Sequence, residues 1–198
     1  MTQRIFLAIP VSTEVQRQIA SWRASREDLR ELPLRWLDDR DLHVTLVPPW
    51  NEDRIEDLLD RFKSFAPTAM QKPIRFDRIH YGPMRDRPRL VWAIAKTAGD
   101  LIRLKHQIER ALDLRRDPRP LKAHLTLARF EPQAFAQFPV QDLNDFVSWI
   151  QSVNRVAVYE SIVAPDGVHY NILAEKELAP PSLDLSFLKN DLPQDKEI

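Results

Sequence analysis

The sequence predicts an α+β fold assembled from two similar halves. Three observations carry this expectation. Short apolar runs with strand character alternate with stripes of helical period. The order β-α-β-α-β can be read twice along the chain. The residues repeat as well: Arg4-Ile5-Phe6-Leu7-Ala8-Ile9 lies over Arg89-Leu90-Val91-Trp92-Ala93-Ile94, and His43-Val44-Thr45-Leu46 over His124-Leu125-Thr126-Leu127. His43 follows Arg4 at nearly the distance at which His124 follows Arg89, so spacing and tetrapeptides recur together.

The elements follow in order. Arg4–Val11, rich in Ile, Phe and Leu, reads as a strand. Ser12 or Thr13 caps a helix whose stripe is Val15, Ile19 and Trp22. Leu42–Val47 alternates and is expected to stop at Pro48-Pro49, since proline cannot donate to a ladder. Asn51 caps a helix with Ile55, Leu58, Leu59 and Phe62. Pro73–Tyr81 is a strand closed by Gly82-Pro83. The series then restarts with a strand over Arg89–Ala95 and a helix from about Asp100 on Leu101, Leu104, Ile108 and Ala111. Leu121–Phe130 is a strand, and Leu143, Phe146, Val147 and Ile150 mark a further helix. Val156–Val163 and Val168–Glu177 form two strands joined by the turn Pro165-Asp166-Gly167. The expected organisation is one domain over 1–180, its lobes mixed from pseudo-repeats of about 4–82 and 89–178. A charged, flexible tail is expected over 181–198.

Composition removes several kinds of chemistry. The 198 residues are 43% hydrophobic, enough for a core. Lys+Arg and Asp+Glu both number 29, so bulk charge does not draw the chain to nucleic acid, though a local basic cleft is compatible with it. Cysteine is absent, which excludes disulfides, thiolate metal sites and cysteine nucleophiles. The 3 glycines, Gly82, Gly99 and Gly167, cannot build a glycine-rich phosphate cradle. No apolar run is long enough to span a bilayer and no leader pattern is visible, so a cytoplasmic protein without membrane association is expected.

The two H-x-T-x segments carry the chemistry. On a strand, residues two apart share a face, so each segment presents an imidazole beside a hydroxyl while Val44, Leu46, Leu125 and Leu127 turn to the core. Two such pairs facing across a pseudo-two-fold suit phosphodiester cleavage without metal. One neutral histidine accepts the proton of attacking water, and one protonated histidine gives a proton to the leaving oxygen. Thr45 and Thr126 can donate to the non-bridging oxygens as charge develops. An unperturbed pKa of about 6.5 lets both imidazole forms coexist near neutrality.

These motifs resemble the two-histidine phosphoesterase superfamily, specifically the bacterial RNA 2′,3′-cyclic phosphodiesterases historically called 2′-5′ RNA ligases. The likeness runs through R-I-F-L-A-I-P, R-W-L-D-D-R-D-L-H-V-T-L, R-P-R-L-V-W-A-I, A-H-L-T-L-A-R-F and the late Y-E-S…G-V-H-Y. It implies a bilobal fold with two antiparallel sheets flanking a central groove and helices outside. It implies hydrolysis of a terminal 2′,3′-cyclic phosphate to a 2′-phosphomonoester, with reversible 2′-5′ ligation in some members. By position His43 resembles the family's proton donor and His124 its acceptor. The chain departs from the family after the first motif, reading Val47-Pro48-Pro49-Trp50 where Lys-Phe-Leu-Gly-like residues are usual. This alters the wall that meets a nucleobase.

Further candidates have plainer alternatives. Trp50 can stack on a base or simply pack. Arg129 stands at odd offset from His124 and would face away on an ideal strand. The resemblance places an arginine there near the phosphate, and a bulge could turn it inward. Tyr159 and Ser161 share one face of a strand that the resemblance puts near the cleft; sheet packing is the alternative. His80, His106 and His169 lack partners at ligand spacing and are expected on the surface, with lining of the groove the alternative for His169 beside Tyr170. Asp38-Asp39-Arg40-Asp41 reads as a charged turn. No metal or other cofactor is expected. The expected partners are RNA ends or cyclic nucleotides as substrates, and a monomer with no obligate protein partner is anticipated. Ligation by the same site, and a non-catalytic RNA-binding module retaining the groove, stay open as alternatives. Intact histidines and threonines in both motifs count against the binding module.

Overall fold

A computed structural model of the chain describes residues 2–66, 72–165 and 167–178. The expected tail over 181–198 and Asp166 of the expected turn lie outside the described residues. The elements are β1 (Gln3–Pro10), α1 (Thr13–Ser25), β2 (Arg35–Trp36), β3 (His43–Glu52), α2 (Ile55–Ser64) and β4 (Ile74–Gly82). There follow β5 (Leu90–Ala95), α3 (Gly99–Ala111), β6 (His124–Arg129), β7 (Asn144–Gln151), β8 (Arg155–Ala164) and β9 (Gly167–Glu177).

The strands form two antiparallel sheets. One has the order β3-β1-β8-β9 and the other β2-β6-β5-β4-β7. Each sheet therefore draws strands from both halves of the sequence. A shared core joins Ile5, Leu7, Ile9, Val44, Leu46 and Val158 of the first sheet to Phe76, Ile79, Val91, Leu125 and Leu127 of the second. Val15, Leu58, Phe62, Leu104 and Ile108 bring the three helices onto it. The opposite face of the four-stranded sheet holds a smaller cluster of Phe6, Ala8, Ala157 and Tyr159. Alternate residues of β1 thus serve two environments.

Ser12 caps α1, its hydroxyl accepting the Val15 N–H at 3.4 Å. Four sequence expectations need correction. The helix anticipated from Leu143, Phe146, Val147 and Ile150 is β7. Phe146 (74% exposed) and Ile150 lie on its solvent face, while Trp149 and Gln151 are buried. The inward row contains polar residues that conceal its period. Asp145 takes the Trp22 indole N–H (2.7 Å) and an Arg26 bond, and Gln151 Oε1 takes the Ser12 N–H (2.9 Å). Second, β3 does not end at Pro48-Pro49. It lies at the sheet edge, where an absent N–H is tolerated, and its register with β1 shifts between Ile5↔Trp50 and Leu7↔Val47 to absorb the prolines. Third, Asn51 belongs to that strand. The following helix starts at Ile55, and Glu52 accepts the Arg54 N–H at 2.9 Å.

Fourth, the overlay of Arg4–Ile9 on Arg89–Ile94 is one residue out. Ala8 pairs with Thr45 and Pro10 with His43, whereas Trp92 pairs with Thr126 and Ile94 with His124. Ala8 is therefore the counterpart of Trp92. A one-residue slip exchanges faces, and here it separates the groove-side residues Phe6, Ala8 and Trp92 from the core-side Leu7 and Val91.

Candidate functional site

His43 opens β3 and His124 opens β6 in the other sheet, and the two strands approach each other. Both imidazoles are held alike. The ring nitrogen Nδ1 of His43 lies 2.7 Å from the carbonyl of Asp41, and that of His124 lies 2.8 Å from the carbonyl of Lys122. Facing a carbonyl, each Nδ1 must carry its hydrogen and donate it, which leaves Nε2 as the free acceptor of the neutral ring. Thr45 and Thr126 follow two residues on, each on its histidine's face. Thr45, Pro48, Pro49, Arg89, Lys122 and His124 all border one cavity of about 610 Å³. The two motifs so meet at one cleft.

The surroundings of the histidines differ. His43 sits among Phe6 (4.8 Å between ring centres), Tyr170 (4.9 Å, edge-on) and Tyr159 (5.6 Å). Burial lowers its pKa to about 4; the bond to Asp41 opposes this, while Arg129 and His124 lower it further. His124 lies 4.9 Å from the indole of Trp92. Its pKa is lowered too, by burial first, then by the charges of Arg129 and Lys122. Both rings are therefore biased toward the neutral form until an anion offsets these effects.

Arg129 reaches the cleft through a bulge. Between Val91↔Ala128 and Trp92↔Thr126 the register of β5 and β6 shifts by one residue. Leu127 and Ala128 consequently both face the core, and Arg129 returns to the side of His124 and Thr126. Its Nη2 donates to the Tyr170 hydroxyl at 3.3 Å. Tyr159 is buried and stacked on Phe6 at 5.0 Å, and its hydroxyl has no hydrogen-bond partner among the described residues. Ser161 lies two residues on, half-buried and paired with Tyr170 in the β8–β9 ladder. Trp50 is not brought to the cleft with these groups. It packs against the main core, and its Nε1 donates to Glu52 at 3.1 Å.

Three groups escaped the sequence reading. Asp41, read as part of a charged turn, is buried. Its carboxylate accepts the Tyr170 N–H at 3.2 Å and meets Nδ1 of His169 at 3.2 Å, clamping β9 beside His43. Asp38, Asp41 and His169 also offer ligand atoms within 4.8 Å of one another, a grouping that sequence spacing does not suggest. Trp92 backs His124, and Gly82 makes room for it: a Cβ on Gly82 would stand 2.3 Å from the indole. The apolar run around Trp92 was visible, but only the register reveals its face. Beyond the indole stands His80, half-buried rather than on the open surface; its Nδ1 accepts the Trp92 indole N–H at 3.1 Å and lies 2.6 Å from the Tyr81 carbonyl oxygen. His106 is half-buried too and has Arg116 at 3.1 Å.

A family model described as the 2′-5′ RNA ligase superfamily matches residues 11–162. Among solved structures, TT0787 of Thermus thermophilus is similar with a TM-score of 0.69 and 23% identity, covering 89% of this chain and 98% of that one. E. coli LigT complexed with 3′-AMP gives 0.65 and 22%, covering 90% and 99%. A third structure, described as a phosphoesterase, gives 0.62 and 23% over the same shares. At these identities the likeness is one of fold. No curated protein matches the sequence. Among the described residues no helix is long and apolar enough to cross a membrane.

Proposed function

The chain belongs to the 2′-5′ RNA ligase superfamily, and from that premise we propose that it hydrolyses 2′,3′-cyclic phosphates of RNA ends or nucleotides to 2′-phosphomonoesters without a metal ion. The observation that supports this most is the matched setting of His43 and His124, each with Nδ1–H tied to a carbonyl two residues earlier and Nε2 left free. His124 takes a proton from water as its oxygen bonds to phosphorus. The bond from phosphorus to O3′ breaks, and His43 delivers its proton to that oxygen. The products are a 3′-hydroxyl and a 2′-phosphate, and proton exchange with solvent resets the pair. Thr45 and Thr126 donate to the non-bridging oxygens, and Arg129 balances their charge. Tyr159 and Ser161 form the sheet wall beside His43. The 3′-AMP in E. coli LigT supports a nucleotide ligand for this fold.

Tyr170 and Phe6 hold the His43 ring, so its proton can be aimed once an anion in the cleft raises its pKa. Which histidine gives and which accepts follows family position, because the backbone setting is the same for both.

The test is RNA ending in a 2′,3′-cyclic phosphate, incubated with excess EDTA. Release of a 2′-phosphate end at an undiminished rate supports the reading, and loss of turnover restored by one specific metal overturns it. An aryl phosphodiester separates the two roles. Its leaving group needs no acid, so His43→Ala should be impaired less on it than on the cyclic nucleotide, and His124→Ala equally on both. Joining of 2′-5′ ends is the reverse reaction at the same site and would appear as chain elongation.

A further inference from the structure

A second cationic site lies at the far end of the groove from Thr45. Arg35 of β2 pairs directly with Arg129 of β6, and opposite residues on neighbouring strands share a face. Two like charges so placed repel each other unless something offsets them. Among the described residues the side chains of Arg35 and Arg89 have no ion-pair or hydrogen-bond partner. Arg35, Arg89 and Arg129 border a second cavity of about 540 Å³, where Glu131 is the one acid among the described lining residues and is not ion-paired to any of them. Arg89 also borders the cleft that holds Thr45 and His124, and Arg129 bears electrostatically on both histidines. The two cavities are therefore parts of one groove.

The position of Arg35 is built rather than incidental. A Cβ on Gly167 would stand 2.6 Å from its Cζ, so the guanidinium lies flat against the glycine backbone at the head of β9. Gly167 has φ +132, in the region that favours glycine. The five-stranded sheet thus sends a cation across the groove to the β8–β9 hairpin. An arginine fork held on a rigid strand matches the oxygens of a phosphate.

We propose that Arg35 and Arg89 bind a second phosphate, the phosphodiester joining the terminal cyclic nucleotide to its neighbour, which makes an oligonucleotide end the preferred substrate over a free cyclic mononucleotide. This rests on the assignment of the cyclic phosphate to the histidine cleft. Net charge zero over the whole chain is compatible with it, because the cationic site is local.

Binding and turnover are measured side by side on the full chain, wild type and Arg35→Gln. The probes are a trinucleotide carrying a terminal 2′-phosphate and the corresponding mononucleotide 2′-phosphate; the substrates are their cyclic precursors. Wild type is expected to bind the trinucleotide at least about tenfold more tightly, with a steeper salt dependence. Arg35→Gln should remove most of that gain, lower the salt slope by about 0.7, and leave binding and hydrolysis of the mononucleotide within about twofold. Equal binding of both probes by wild type, or equal losses on both in the variant, overturns the second-phosphate site. The length preference in binding together with no hydrolysis of either precursor leaves this site standing and overturns the proposed reaction. Hydrolysis of both precursors with no dependence on Arg35 does the reverse.

Discussion

The His43 and His124 regions share one backbone design and differ in what surrounds it. Each histidine opens a strand, ties Nδ1 to the carbonyl two residues back, and faces a partner in the neighbouring strand at the same register. Yet three aromatic rings and the buried Asp41 clamp enclose His43, whereas His124 rests on one indole and borders the open cleft with Lys122. A duplicated frame fixes geometry, and the unduplicated side chains then decide how tightly each ring holds a proton. The more enclosed ring depends more on a bound anion for its charge. With its pKa lowered to about 4 by burial, His43 can serve as the acid of the proposed reaction only with phosphate in place.

Several measurements would break or sharpen this comparison. The largest effect is expected from His43→Ala and His124→Ala, each lowering kcat by at least about 10²-fold. The double variant should be little worse than either single one, as for groups acting in a unit. Near wild-type turnover by one folded single variant would break the comparison outright.

Next come two substitutions aimed at the unduplicated parts. Gly82→Ala drives a methyl into the Trp92 indole and should cost about 1–3 kcal/mol by denaturant unfolding, as overpacking does. Its turnover defect should come with a shifted pH bell, because the displaced indole is the one that backs His124. Asp41→Ala strips the Tyr170 N–H of its acceptor and should cost about 1–3 kcal/mol. Asp41→Asn, which retains an acceptor, should recover much of that. Identical behaviour of Ala and Asn would remove the clamp from the account of His43.

The pH effects are smaller. His43 has a folded-state pKa near 4 against about 6.5 when unfolded, so the unfolded chain binds the extra proton first. Its contribution to stability is complete above pH 6.5 and is lost as pH falls from there through about 4. His43→Gln should flatten that part of the stability profile, and an unchanged slope would count against a buried neutral ring. Catalysis should give a bell with both limbs belonging to the pair. The bell for kcat should lie at higher pH than that for kcat/KM, because bound anion raises both histidines.

The sequence made the two motif-bearing strands legible because a histidine and a threonine two apart rarely recur in matching places of two half-chains by chance. The same holds for β1, β4, β5, β8 and β9, whose apolar runs are short and bounded. It misled at β7, where Phe146, Val147 and Ile150 mimic a helical stripe and the buried Asp145 and Gln151 break the alternation that marks a strand. It passed over β2, since two residues have no period, and with it Arg35. The inward return of Arg129 depends on the Leu127-Ala128 bulge, which sequence could only admit as one possibility. Asp41 looked like one acid among several; its burial follows from β9, which arrives some 130 residues later.

The interleaving of strands has a consequence for the birth of the protein on the ribosome. β1 must wait for β8 to cover its second edge, and the chain between them is about 150 residues long. At about 5–20 residues per second, that edge stays open for roughly seven to thirty seconds of synthesis. Its Ile5-Phe6-Leu7-Ala8-Ile9 run is apolar on both faces and is a template for unwanted pairing throughout that interval. Nascent chains stalled before Arg155 should therefore be bound by chaperones or aggregate, and should be released into native form once the C-terminal hairpin has emerged.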